Sequence, residues 1–190
     1  AVGADRCDIY TDVDGVFSSD PNIVPKAKKI NNLAFEEMLE MSSTGAKVLH
    51  TRSVELAMKN NLILQVLSSL NKKPGTFIID EKKLIEKEIV SGVSYSKNES
   101  KLTISGIPDK PGISARIFGL LADKNINVDM IVQNISHDGI KANITFTVPN
   151  AEINLAKITL MKNLNKIKYS SLNIDKDVSK ISVIGMGMMS

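Results

Sequence analysis

Apolar positions along the chain recur in two regimes. Over the first 80 residues, short β-prone runs alternate with stretches of helical spacing. Residues 8–13 (Asp-Ile-Tyr-Thr-Asp-Val) predict a strand ended by the turn dipeptide Asp14-Gly15, followed by a loop punctuated by Pro21 and Pro25. Residues 33–41 predict a helix capped by Asn32, with Ala34, Met38 and Met41 on one buried face, broken at Thr44-Gly45. A second helix is expected over about 46–60, carrying Val48, Leu49, Leu56 and Ala57 inward. Residues 63–67 return to strand, and Lys73-Pro74-Gly75 turns into a strand over 76–79. This alternation is α/β, with too few strands to close a sheet alone, so the region reads as the end of a larger domain.

From about residue 91 the pattern is self-sufficient. Leu102 and Ile104 alternate with polar residues, and Pro108-Asp109-Lys110-Pro111-Gly112 leads into a helix with Ile113, Ile117, Leu120 and Leu121 on one face. Val128, Met130 and Val132 predict a second strand, His137-Asp138-Gly139 a hairpin turn, and Ala142, Ile144, Phe146 and Val148 a strictly alternating third strand. A helix over about 152–166 places Ile153, Ala156, Leu160 and Leu164 in register, and residues 169–174 supply a fourth strand. The order βαββαβ predicts an α+β ferredoxin-like fold, two helices on one face of an antiparallel sheet. The hexapeptide Lys101-Leu-Thr-Ile-Ser-Gly106 recurs in pattern as Lys180-Ile-Ser-Val-Ile-Gly185. We read the recurrence as the opening strand of a second module, cut short.

Composition narrows the class. The chain has 190 residues, 43% hydrophobic and 24% charged, enough for one or two modest cores. No apolar run approaches a membrane-spanning length, and no basic-then-apolar leader opens the chain. Cys7 stands alone and forms no internal disulfide, which fits a reducing cytoplasm. A net charge of +3 from 24 basic and 21 acidic residues is too balanced for a nucleic-acid binder. The charged stretch 80–88 reads as a solvated linker.

Three constellations carry chemistry. Thr11-Asp12-Val13-Asp14-Gly15-Val16-Phe17 ends a strand in hydroxyl and carboxylate groups, where α/β sheets bind ligands. Phe17 offers a ring to a flat base and Asp12 an acceptor to an amino or hydroxyl group; the competing reading is an acidic turn in which Asp14 and Asp20 cap local amides. The segment 44–52 (Thr-Gly-Ala-Lys-Val-Leu-His-Thr-Arg) suits an anion at a helix start, with Lys47 adding charge, although its glycine spacing is not that of a P-loop. His50 lacks metal-ligand neighbours and reads as structural. In the third, the loop 108–112 opens a helix whose amides suit a carboxylate, and Asp109 and Asp129 suit an ammonium. With Asn127, Val128, Gln133 and Asn134 on the next strand, the set matches a zwitterion such as a free amino acid; alternatively Asp109 caps the helix and the amides satisfy an edge strand.

In this order and spacing the constellations resemble the aspartokinase family. The resemblance rests on residues 3–21 (G-A-D-R-C-D-I-Y-T-D-V-D-G-V-F-S-S-D-P), 36–58 (E-E-M-L-E-M-S-S-T-G-A-K-V-L-H-T-R-S-V-E-L-A-M), 108–115 and 128–134 (V-D-M-I-V-Q-N), and spans essentially the whole chain. It implies four segments: 1–80 as the C-terminal part of an amino-acid-kinase domain, 81–95 as linker, 96–175 as an ACT domain, and 176–190 as the start of a second, truncated one. The implied activity is transfer of the ATP γ-phosphoryl group, as Mg-ATP, to the side-chain carboxylate of L-aspartate, with no tightly bound cofactor. That step opens the route to lysine and diaminopimelate, threonine and methionine. By the same resemblance Thr11, Asp12, Phe17, Lys47 and Val48 line the nucleotide, and Asn22 stands where the family usually carries Arg. Thr51 replaces a usual proline. Asp109, Gly112, Ile113, Ser114, Ala115, Asn127, Val128, Asp129 and Gln133 form the effector site, for lysine or threonine. A homodimer through the ACT domains is implied, with neither nucleic acid nor membrane as partner.

The family's N-terminal lysine-phenylalanine-glycine-glycine motif and its aspartate-binding residues are not among these 190 residues. The expectation is therefore that catalytic groups lie elsewhere and that this chain alone is inactive. The alternative is a non-catalytic regulatory subunit that senses an amino acid; the nucleotide-pocket strand favours the first reading.

Overall fold

The computed structural model describes residues 3–84, 89–135 and 141–185. The chain divides into two compact units, residues 1–96 together with 181–190, and residues 97–180. The expected hairpin turn at His137-Asp138-Gly139 and part of the expected linker, residues 85–88, lie outside the described residues.

The first unit contains β1 (Arg6–Thr11), β2 (Asn32–Ala34), α1 (Phe35–Thr44), α2 (Thr51–Lys59), β3 (Ile63–Ser68) and β4 (Thr76–Ile79), then a single 3-10 turn over Glu81–Lys83. Its sheet runs β1-β3-β4-β2, with β1 parallel to β3, β3 antiparallel to β4, and β2 parallel to β4. A fourth strand, β2, therefore stands where a helix was expected to begin. Leu33 and Ala34 are buried as strand residues. Asn32 is not the cap: Glu37 reaches back so that the Ala34 amide donates to its Oε2 at 3.0 Å, and α1 starts at Phe35. Three successive hydroxyls end α1, as Ser42 donates to the Met38 carbonyl, and Ser43 and Thr44 donate to that of Glu40.

The second helix is shorter than the apolar spacing implied. His50 caps it, its Nδ1 accepting from the Arg52 amide at 3.2 Å, so residues 46–50 form a connection rather than a first turn. That phase buries Val54 and Ala57 and leaves Leu56 54% exposed, contrary to expectation. The core gathers Val16, Leu33, Phe35, Met38, Met41, Leu49, Val54, Leu64, Val66 and Ile78 between the sheet and both helices.

The second unit is built from β5 (Gly92–Pro108), α3 (Ile113–Ala122), β6 (Asp129–Ile135), β7 (Lys141–Pro149), α4 (Ile153–Lys162), α5 (Leu164–Ile167) and β8 (Ser171–Ile184). Strands β5 and β8 each cross the boundary between units. The sheet order β6-β7-β5-β8 is that of the expected βαββαβ fold. In β7 every second residue is buried, against Leu102, Ile104 and Ile107 of β5 and Ile117 and Leu121 of α3. A bulge between Ile104 and Ile107 returns Ile107 to the buried face. Gly106 sits there at φ 71°, and a Cβ would come within 2.1 Å of the Ser170 hydroxyl.

Two expectations fail here. The last helix breaks at Asn163, whose side chain donates to the Thr159 carbonyl at 2.9 Å; the restart exposes Leu164 and buries Ile167 instead. Strand β6 is exposed along its whole length, because it is the sheet edge and a register shift after Asp129 breaks the alternation of Val128, Met130 and Val132.

Phe146 is fully buried and meets Phe118 edge-on at a centroid distance of 5.5 Å. Phe146→Ala should cost about 3–5 kcal/mol, read as a lowered urea midpoint. An unchanged midpoint would show that this ring is not a keystone of the core.

Candidate nucleotide edge and amino-acid site

Parallel pairing aligns Arg6 with Ile63 and Thr11 with Ser68, so the carboxyl ends of β1 and β3 finish at one sheet edge. Ser69 ties them together, its amide and hydroxyl both donating to the Thr11 carbonyl at 2.7 and 2.9 Å. The Thr11 hydroxyl donates to Asp12 Oδ1 at 3.0 Å, which leaves the exposed carboxylate with acceptor capacity facing outward. Asp14 accepts from Asn71 at 2.6 Å, joining the two turns that leave the edge.

The loop after Asp12 is held by one buried hydroxyl. Thr76 Oγ1, on β4, accepts from the Val16 amide at 2.8 Å and donates to the Ile30 carbonyl at 2.6 Å. Gly15 packs against it at φ 141°, where a Cβ would lie 2.6 Å from that hydroxyl. Phe17, half-buried, bridges to Lys29, whose ammonium donates to the Pro74 carbonyl. Asn71, Thr76 and Lys29 were not singled out in the sequence; only the turn signal at Lys73-Pro74-Gly75 hinted at this neighbourhood.

Lys47 and Val48 stand in the α1–α2 connection. Val48 packs on the core that also takes Cys7 and Ile9 of β1, and Lys47 is exposed. Asn22 is a separate case: its backbone amide donates to Asp20 Oδ1 at 2.9 Å within a local turn. The acidic-turn reading thus fits Asp20, which caps the local Asn22 amide, whereas Asp14 meets the Asn71 side chain 57 positions away; Thr11 and Asp12 remain on the sheet edge. The first unit's large cavity, about 1080 Å³, is lined by Ser18, Lys28, Lys29, Asn32, Glu37 and Ser91 among others, and none of the six expected nucleotide residues lines it.

In the second unit α3 begins after Gly112, and no side chain caps it. Asp109 is exposed and does not serve as the cap. Ile113, Ser114 and Ala115 form the first turn, and Ser114 Oγ donates to Gln133 Oε1 on β6 at 3.2 Å, joining helix start to strand. Val128 packs on the core, and the Asn127 amide donates to Glu152 Oε2 at 2.8 Å. Asp129 is already paired: Lys180 Nζ lies 2.6 Å from its Oδ2, and the Met130 amide donates to Oδ1 at 2.8 Å. Lys180 also stands 3.7 Å from Glu99. The Lys180 hydrogen bond, then the Met130 amide, hold the Asp129 carboxyl below the usual carboxylate range. Among the described residues no group of three or more His, Cys, Asp or Glu could hold a metal, and no helix is long and apolar enough to cross a membrane.

Residues 1–68 match the amino acid kinase family, and residues 102–164 match the ACT domain. An aspartate kinase of Pseudomonas putida is 47% identical over the whole of this chain, which spans 46% of that relative. The chain belongs to the aspartate kinase family. Membership extends to an aspartokinase of Mycobacterium tuberculosis, 45% identical over the whole chain. The chain thus spans about half the length of the curated relatives it matches. Among solved structures, Escherichia coli aspartokinase III in complex with aspartate and ADP superposes with a TM-score of 0.78 at 28% identity, covering 96% of this chain and 40% of that one. Clostridium acetobutylicum aspartate kinase reaches a TM-score of 0.84 at 20% identity, covering 98% and 43%, and speaks for the fold. The regulatory subunit of Thermus thermophilus aspartate kinase aligns at 32% identity and a TM-score of 0.50, covering 54% of this chain and 67% of that one.

Because the folded Asp129 carboxyl binds its proton less tightly than the unfolded one, its pair stabilises the fold above the usual carboxylate range. That contribution is lost as the pH falls through the depressed value. Asp129→Asn should flatten the acid limb of a stability-against-pH curve and leave the neutral-to-alkaline slope alone. Identical acid limbs would remove Asp129 from the titration.

Proposed function

We propose that this chain carries one side of the nucleotide site and an amino-acid-sensing ACT unit of an enzyme that phosphorylates the side-chain carboxylate of L-aspartate with Mg-ATP. The observation that supports it most is the shared edge of β1 and β3, where Thr11 and Asp12 stand on a stapled strand end. Phosphoryl transfer needs little covalent help from protein, so positioning and charge neutralisation decide the rate. On this reading Asp12 accepts from the nucleoside, Phe17 and Val48 offer apolar contact to the base, and Lys47 supplies positive charge. Asn22 leaves the position that usually holds arginine without a cation. The phosphate- and aspartate-binding groups are assigned to polypeptide beyond these 190 residues, and the chain alone to inactivity.

In the ACT unit the uncapped start of α3 receives the α-carboxylate of lysine or threonine, and Asp109 and Asp129 receive its ammonium. We further infer pairing of ACT units along the exposed β6 edge into a homodimer, and a cytoplasmic setting. A second reading, a purely regulatory subunit, is favoured by the likeness to the Thermus thermophilus regulatory subunit over about half the chain. The nucleotide-edge strand stands against it.

In an enzyme carrying this chain together with the upstream half of its relatives, Asp12→Asn should raise the KM for ATP roughly tenfold, as loss of a charge-assisted hydrogen bond would. The KM for aspartate should hold. Asp109→Ala should relieve amino-acid inhibition with turnover intact. Lost turnover with inhibition unchanged would refute the effector assignment, and an unmoved ATP KM would refute the nucleotide edge.

A further inference from the structure

Lys180, near the end of β8, is only 12% exposed, yet its ammonium reaches carboxylates on two other strands, Asp129 at the start of β6 and Glu99 on β5. Asp129 itself is 61% exposed. The pairing is thus lopsided: a largely buried cation holds one oxygen of an outward-facing carboxylate that stays largely exposed, within reach of a ligand. Glu99 is 14% exposed and lies farther off, at 3.7 Å against 2.6 Å.

A largely buried ammonium must keep a partner, since an uncompensated charge away from water is strongly unfavourable. Lys180 has two, and they differ in what they can surrender. Asp129 keeps the Met130 amide on its other oxygen if Lys180 withdraws, so it stays oriented. Glu99, within ion-pair reach and equally sheltered, can take the ammonium alone. An incoming ammonium at Asp129 therefore replaces a like group on an acceptor already aimed by the backbone.

We propose that Lys180 is a resident competitor in the effector site: its ammonium occupies Asp129 until the ammonium of a free amino acid displaces it onto Glu99. This rests on the reading of Asp109, Asp129 and the start of α3 as an amino-acid site. The exchange conserves charge, one ammonium leaving Asp129 as another arrives, and requires no proton transfer. Its consequence is an affinity held down by the competitor, and a sidestep of the β8 side chain each time the site fills. Because the contest concerns the α-ammonium, it affects lysine and threonine alike.

The test is isothermal titration of lysine and of threonine against the protein and three variants, with circular dichroism confirming each fold. Lys180→Met should tighten binding of whichever amino acid binds the parent by roughly tenfold, the size of a modest coupling energy. Lys180→Arg, which keeps the competing charge, should not. Glu99→Gln deprives the displaced ammonium of its refuge and should weaken binding, which keeps the idea falsifiable if Lys180→Met unfolds. Binding to the parent that is unchanged or weaker in Lys180→Met, or unchanged in Glu99→Gln, overturns the competitor while leaving the effector site standing. No heat with either amino acid in any form of the protein overturns the effector site, and the competitor with it.

Discussion

The parallel ladder between β1 and β3 is the constraint on which the proposed nucleotide edge depends. Parallel strands leave the sheet from the same edge at their carboxyl ends, so the register Thr11 with Ser68 brings two turns, 12–16 and 69–75, to one place. Ser69 on the Thr11 carbonyl and Asn71 on Asp14 join those turns, and Thr76 then holds the following loop from the neighbouring strand. None of these contacts involves residues closer than 46 positions apart in the chain. A polar loop is thereby held with its buried amides and carbonyls satisfied, as a rigid ligand edge requires.

The second unit solves a different problem. Its core is a single apolar layer between sheet and helices that includes Phe146, Ile104, Ile117 and Leu160. The groups proposed to bind an amino acid lie at its margins: the uncapped start of α3, the exposed β6 strand and the Lys180 contacts. A well-packed centre with polar interactions at its rim is how a small module combines stability with an adjustable site.

Much of this was legible beforehand because it is periodic. The alternation in β7 and the spacing of Ile153, Ala156 and Leu160 predicted their own burial, and the βαββαβ order followed. The errors fell where a polar side chain, not periodicity, chose a boundary: Glu37 moved a helix start past Ala34, His50 shortened α2, and Asn163 broke the last helix. β6 was misread because an edge strand with a bulge has no buried face to alternate against. In the sites, Thr11 and Asp12 were recognisable as a hydroxyl–carboxylate pair closing a strand, and the Asp109 to Ala115 segment as an open helix start.

Local chemistry and hydrophobic period, read along 190 residues, determined the kinds of elements, most core residues and the identity of the candidate ligand groups. Tertiary structure alone decided which distant partners those groups meet: Thr76 with the loop at Val16, Asn71 with Asp14, Lys180 with Asp129. A period is a property of neighbours in the chain, whereas a hydrogen bond or ion pair across strands depends on register and sheet order. Those are set by the sum of all the packing, which no single segment encodes.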